Sequence, residues 1–388
     1  MRLAALSLCI LGAQAQNLHF DLTQAPVVYS KASGYGFEPG FLPGDDKPFF
    51  FSADVPEGNY RVTVKLGDAR AASDNTVYAE LRRLMIERVT TAPGKFETRS
   101  FIVNVRRPGE VRINDREKNM EAWAWDDRLT LEFNGAHPAA ASIEIEKADV
   151  PTLFLMGDST VCDQPREPFN SWGQMITRFL KPVVAVSNQA ESGESVAGAL
   201  AKHRLDKIWA AMKRGDWLFM QFGHNDMKST APDALERFTN DLRRVVDETR
   251  KRGGTPVLFT PVSRRSFDDA GKIANSFRGY PDAVKLVAKE KDVPLIDLQE
   301  AGAAFYEAMG PEGSHTAFAN MSENTHHSDY GSYEIAKCVV QRMKDLKLAA
   351  AEWVVDDFAG FDPHKPDPRA DFHIPPSPLV TNITPIGN

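Results

Sequence analysis

The feature that most constrains this chain is a change of hydrophobic period near residue 150. Upstream, Tyr60, Val62, Val64 and Leu66 alternate with Arg61, Thr63 and Lys65, a period of two that places every second side chain on one face of a strand. Phe101, Val103 and Val105, then Leu129, Leu131 and Phe133, then Ile143 and Ile145 repeat the pattern. Turn-forming pieces such as Pro56-Glu57-Gly58-Asn59 and Pro93-Gly94 separate them. Long helical periodicity is scarce here, so an antiparallel β-sandwich is expected. From Pro151 onward the pattern differs. Short apolar runs at 153–156, 183–186, 217–221, 257–260 and 295–296 alternate with helical faces. Leu205, Ile208, Trp209 and Met212 mark one such face; Leu235, Phe238, Leu242, Val245 and Val246 mark another. Alternating strands and helices imply a parallel sheet covered on both faces, an α/β fold. A length of 388 residues accommodates two such units.

The first residues, MRLAALSLCILGAQAQ, place Arg2 before an apolar stretch and a small-x-small site at Ala13-Gln14-Ala15. That is the pattern of a cleaved secretory signal, too short to span a bilayer. The expected divisions are therefore a signal peptide at 1–15, an all-β sandwich at 16–148 and an α/β domain at 151–352. A proline-rich arm follows at 353–388, packed on the body or partly disordered. Export to the periplasm or medium permits disulfides, but Cys162 and Cys338, which remain after cleavage, are expected to be buried free thiols. A net charge of −7 argues against DNA, RNA or anionic membranes as partners and leaves sugar binding open. Oligomeric state is not readable.

Gly157-Asp158-Ser159-Thr160 follows the first α/β strand directly, where parallel sheets present their ligands. Taken alone, the same residue types also make an ordinary helix-capping turn. Asn188 to Ser195 follows the second strand, Gln221 to Asp226 the third, and Glu323-Asn324-Thr325-His326 precedes the last helix. All four groups can converge on one rim.

In that order these blocks resemble the four blocks of the SGNH (GDSL-type) hydrolase superfamily. Ser171-Trp172-Gly173-Gln174-Met175, Phe222-Gly223-His224-Asn225-Asp226, the stretch Thr260 to Phe267, and Tyr280-Pro281-Asp282-Ala283 are similar to its rhamnogalacturonan acetylesterase and acetylxylan esterase branch. The resemblance covers about residues 151–350 and implies a three-layer α/β/α domain. It makes Ser159 the nucleophile and His326 the general base. The backbone N–H groups of Ser159 and Gly193, with the Asn225 amide, become the oxyanion hole. The family pattern has Asp three residues before the histidine, whereas this chain has Glu323. A Ser159–His326–Glu323 triad is implied; a Ser–His pair alone, or Asp329 as the acid, stays open. Members with two domains resemble fusions to a galactose-binding-like β-sandwich. The aromatics Tyr35, Phe37, Phe41, Trp123 and Trp125 would then stack on sugars, or equally pack a core.

Trp172, Arg264 and His327 are weaker substrate-binding candidates, each with a structural alternative. His224 is expected to be packed and hydrogen-bonded, and His315 to lie at the surface. No H-E-x-x-H, C-x-x-C, P-loop or dinucleotide fingerprint occurs, so neither metal nor cofactor is expected. The expected activity is removal of O-acetyl groups from plant cell-wall polysaccharide, rhamnogalacturonan first and acetylated xylan next. A lipase or thioesterase of the same superfamily is one alternative, and a non-catalytic carbohydrate-binding protein is another.

Overall fold

The structure is a computed structural model and describes residues 17–44 and 46–386. The expected signal peptide lies outside the described residues.

Among the described residues, nine strands build the N-terminal part: β1 (Leu18–Asp21), β2 (Tyr35–Phe37), β3 (Phe49–Asp54), β4 (Gly58–Leu66), β5 (Ser73–Ala79), β6 (Arg83–Thr91), β7 (Glu97–Val105), β8 (Arg128–His137) and β9 (Ala140–Lys147). They form two antiparallel sheets, in the orders β1-β9-β4-β7 and β2-β3-β8-β5-β6. The alternating residues do what period two requires. Val62, Val64, Leu66, Val103, Leu131, Phe133 and Ile143 of both sheets meet in one buried core. Two features escaped the sequence pattern. Phe49-Phe50-Phe51 forms part of a strand buried on both faces, where alternation vanishes. A short helix, Asp115–Met120, sits between β7 and β8, with Asn114 and Glu117 closing a reciprocal capping box.

The α/β part has five parallel strands: β10 (Thr152–Gly157), β11 (Ala185–Asn188), β12 (Trp217–Gln221), β13 (Thr255–Phe259) and β14 (Leu295–Ile296), ordered β11-β10-β12-β13-β14. The second strand starts two residues later than expected. Val183 is spent in a turn, with its N–H bonded to Lys181 O, and pairing begins at Ala185 opposite Thr152. Successive strand side chains enter opposite layers. Leu153, Leu155 and Phe219 pack with Trp172, Ile335 and Val339, whereas Phe154, Met156 and Leu218 pack with Leu205, Phe238 and Val284. In helix Ala234–Lys251, Leu235 is exposed and the buried face starts at Phe238.

After residue 353 the chain is mostly irregular but docked on both parts. Tyr78 Oη donates to Pro375 O (2.7 Å), Asn134 Nδ2 to Pro376 O (2.9 Å) and Ser377 Oγ to Glu132 Oε2 (2.8 Å). The segment then bridges to the α/β part, where Glu167 N bonds Leu379 O (2.7 Å) and Thr381 N bonds Glu167 O (2.8 Å).

Candidate active site

Strand β10 ends at Gly157, where a side chain has no room: a Cβ would lie 2.7 Å from Gln221 O of the neighbouring strand. The chain then turns. Thr160 N and Oγ1 both donate to Asp158 Oδ1 (3.0 and 2.8 Å), and the far oxygen of Asp158 meets His224 Nδ1 at 3.1 Å. Burial pushes the Asp158 carboxyl up, but His224 and the Thr160 bonds outweigh it and hold the group below the usual range. Asp158 and His224 thus brace the loop that carries Ser159.

His326 approaches from the other side. The chain bends at His326, whose O accepts Ala319 N (3.0 Å), and His327 pairs with Asn170 and Phe318, its O accepting Asn170 N (3.0 Å). The two side chains part at this bend. His326 turns to Ser159, with Nε2 2.9 Å from Oγ. His327 turns inward, 2.6 Å from Tyr306 Oη and stacked on Phe318. Burial drives the His327 pKa down to about 3, so it is a neutral core residue. This corrects the expectation that His327 meets substrate.

Glu323 Oε2 lies 3.2 Å from His326 Nδ1 and also accepts the His326 N–H at 3.2 Å. The longer glutamate is accommodated by this turn. Asp329 is engaged elsewhere, accepting from Arg82 Nη2 (2.9 Å) and Asn170 Nδ2 (2.6 Å). Gly193 has φ +77°, a left-handed conformation that favours glycine, and a Cβ there would lie 2.5 Å from Ile386 Cγ2. Asn225 Nδ2 donates to Glu194 O at 3.0 Å, which ties the third block to the second. Asp226 holds the same two loops together by accepting Val196 N (2.9 Å) and Gly223 N (3.0 Å), and burial lifts its carboxyl to about 7.

Ser159 and His326 are each only 1% exposed, whereas Gly193 and Asn225 are half-buried. A cavity of about 810 Å³ lies elsewhere, at the seam between the sandwich and the α/β part, lined by Asn59, Thr152, Ser187 and Lys207. It contains none of the reacting groups, so the hydrogen-bonded pair rather than the roomy cavity marks the chemistry.

The other candidates separate. Trp172 is a core anchor rather than a substrate contact: it stacks on Phe259 and donates Nε1–H to Gln221 Oε1 (3.0 Å). Arg264 is half-buried, lies over Phe277 and interacts with Asp158, so it stays beside the site. His315 is half-buried and bonded to Arg265. Among the five sandwich aromatics, Phe37 and Trp125 are buried in packing, while Tyr35, Phe41 and Trp123 keep exposed area. Cys162 and Cys338 are free and buried. The carboxylates of Glu117, Glu121 and Glu191 gather within 4.8 Å of one another. Arg116 and Arg204 already bond to them. Gln164, whose Nε2 donates to Ser159 O at 2.7 Å, carried no motif and was not anticipated.

With this geometry in place, the comparisons are consistent. The model of the GDSL-like lipase/acylhydrolase family matches residues 155–331. A rhamnogalacturonan acetylesterase of Bacillus subtilis is 37% identical over 217 residues, covering 52% of this chain and 94% of its own. The chain belongs to the GDSL-like lipase/acylhydrolase family. A GDSL enzyme is an ester hydrolase, and the rim just described is its candidate site. The uncharacterized esterase YxiM of the same organism is 26% identical over 316 residues, covering 77% of this chain and 75% of its own. The crystal structure of Bacillus subtilis YxiM superposes with a TM-score of 0.52 at 22% identity, covering 86% of this chain and 99% of that one. The shared fold thus includes the sandwich as well as the GDSL part. Among the described residues no helix is long and apolar enough to cross a membrane.

Proposed function

We propose that the protein is an exported carbohydrate esterase that removes O-acetyl groups from plant cell-wall polysaccharide through a serine acyl-enzyme. Rhamnogalacturonan is the preferred backbone and acetylated xylan the next. The observation that carries this reading is the 2.9 Å contact between Ser159 Oγ and His326 Nε2, backed by Glu323.

Glu323 accepts a hydrogen bond from Nδ1–H, which leaves Nε2 free to take the proton of Ser159. The serine oxygen then adds to the acetyl carbonyl. Negative charge gathers on the carbonyl oxygen, for which the donors are the N–H groups of Ser159 and Gly193 and the second hydrogen of the Asn225 amide, the first being bonded to Glu194 O. The tetrahedral species collapses, the sugar oxygen leaves with the proton held by His326, and Ser159 remains acetylated. Water repeats the sequence and releases acetate. A nearly enclosed serine suits an acyl group as small as acetyl, and the similarity to rhamnogalacturonan acetylesterases supports the polymer. Arg264, beside the rim, is assigned to the sugar. Residues 1–15 act as the leader, 16–148 and 151–352 as the two domains, and 353–388 as the docked arm.

Acetate release from acetylated rhamnogalacturonan, acetylated xylan and a pair of acetyl and decanoyl reporter esters tests this. Fastest release from rhamnogalacturonan, with the decanoyl ester poor, is the expected result. A preference for the decanoyl ester would make the enzyme a lipase instead.

A further inference from the structure

Arg116 belongs to the sandwich, on the short helix Asp115–Met120, yet its guanidinium reaches the catalytic rim. Nη1 donates to Glu191 Oε1 at 3.1 Å and also bonds Glu121. Nη2 donates to Gln164 Oε1 at 3.4 Å. Each bond leads one step further to the reacting loops. Gln164 Nε2 donates to Ser159 O (2.7 Å) and lies 3.4 Å from Ser192 Oγ, the neighbour of Gly193. Glu191 N donates to Gly157 O (3.1 Å), Glu191 O accepts Glu194 N (3.2 Å), and Glu194 O holds the Asn225 amide (3.0 Å).

We infer that Arg116 is a positioning residue for ester hydrolysis, locking the Ser159 loop to the loop that carries Gly193. The inference rests on Ser159 being the nucleophile. One planar guanidinium forks from two separate nitrogens to acceptors on two loops, a fixed spacing that the single nitrogen of an ammonium does not reproduce. The side chain is largely buried, as are Glu191 and Gln164, so water does not replace the lost bonds. Another sandwich arginine at this seam behaves differently. Arg83 bonds Asp163 (2.8 and 2.9 Å), which is held by Asn188 rather than by the reacting residues. Arg83 clamps the two parts together; Arg116 sets the spacing of the donors around the developing oxyanion. The sandwich thereby completes the active site without supplying a reacting atom.

The test uses the full chain with a small acetyl ester, counting competent sites by fluorophosphonate titration so that any unfolded fraction drops out. Arg116→Ala should lower kcat per titrated site about 10- to 100-fold, the scale of a misplacement near 1 Å, with KM within about twofold. Arg116→Lys should recover only a minor part. Gln164→Met, which keeps the volume and cuts the relay, should show the same kcat-against-KM split, and combining it with Arg116→Lys should add little. Should Arg116→Ala not fold, the lysine and methionine variants decide. Unchanged kcat per titrated site in both, or losses that simply multiply when combined, would overturn the inference. Ser159→Ala runs alongside: an inactive Ser159→Ala with unimpaired Arg116→Lys removes only the positioning role. Retained turnover in both would remove the nucleophile assignment as well.

Discussion

The core of the sandwich and the rim around Ser159 bury opposite kinds of side chain. In the core between the two sandwich sheets, Val62, Val64, Leu129, Leu131, Phe133 and their apolar neighbours attract one another without direction. On the rim, Asp158, Ser159, Glu191, His224 and His326 are as deeply enclosed, and each is held by directional bonds to named partners. Apolar burial tolerates exchange at constant volume, whereas a bonded polar pair fails when either member changes. Rate and stability should therefore come apart along the line between the two regions.

The largest separation is expected at the nucleophile. Ser159→Ala should reduce acetate release by about five to six orders of magnitude, the loss seen when a triad serine is removed, with Tm within a few degrees. A variant retaining measurable fractions of native turnover would dissolve the contrast. Glu323→Gln should slow turnover about 10³- to 10⁴-fold, because imidazole orientation is lost while the oxyanion donors remain. Full activity would return the site to a Ser–His pair. In the sandwich, Leu131→Ala should cost about 2–5 kcal/mol in denaturant unfolding and leave kcat per titrated site unchanged. A fall in kcat per site would show that the sandwich core governs the rim.

Glu80 sharpens the comparison as a buried titratable group in the sandwich. Burial lifts its carboxyl to about 8, against a pull from Arg83 and the Thr130 N–H. An acid with a raised folded-state pKa binds its proton in the folded state and loses it on unfolding. Its contribution to stability is therefore fully present below the unfolded value near 4.5 and is lost as pH rises through about 8. Between pH 5 and 8 the Tm of Glu80→Gln should rise relative to the native chain. A constant difference would contradict the assignment. The smallest effect is expected at Arg88, paired with Asp74 on the exposed edge (2.7 Å), where Arg88→Ala should shift stability by no more than about 0.5 kcal/mol.

The sequence was most legible where one period or one short block dictated the outcome. Alternation in β4, β7, β8 and β9 exposed their buried faces, and the blocks around Ser159, Asn225 and His326 marked residues that the fold brings onto one rim. The Phe49–Asp54 strand was missed because burial on both faces removes alternation. His327 was misjudged because the pairing that turns it inward involves Asn170, far away in the chain, as well as the nearer Phe318. Arg82, Arg83 and Arg116 were invisible for a related reason. A lone arginine among strands has no spacing to signal that it will be buried against a second unit.

Ile386 standing against Gly193, with Ser159 and His326 almost sealed from water, has a kinetic corollary. Any ester must first dislodge what encloses the pair. A long polymer can offset that work through contacts made far from the acetyl group, whereas a compact reporter ester has no such reserve. Turnover measured on small chromogenic esters should accordingly understate the speed on acetylated polysaccharide, the proposed substrate.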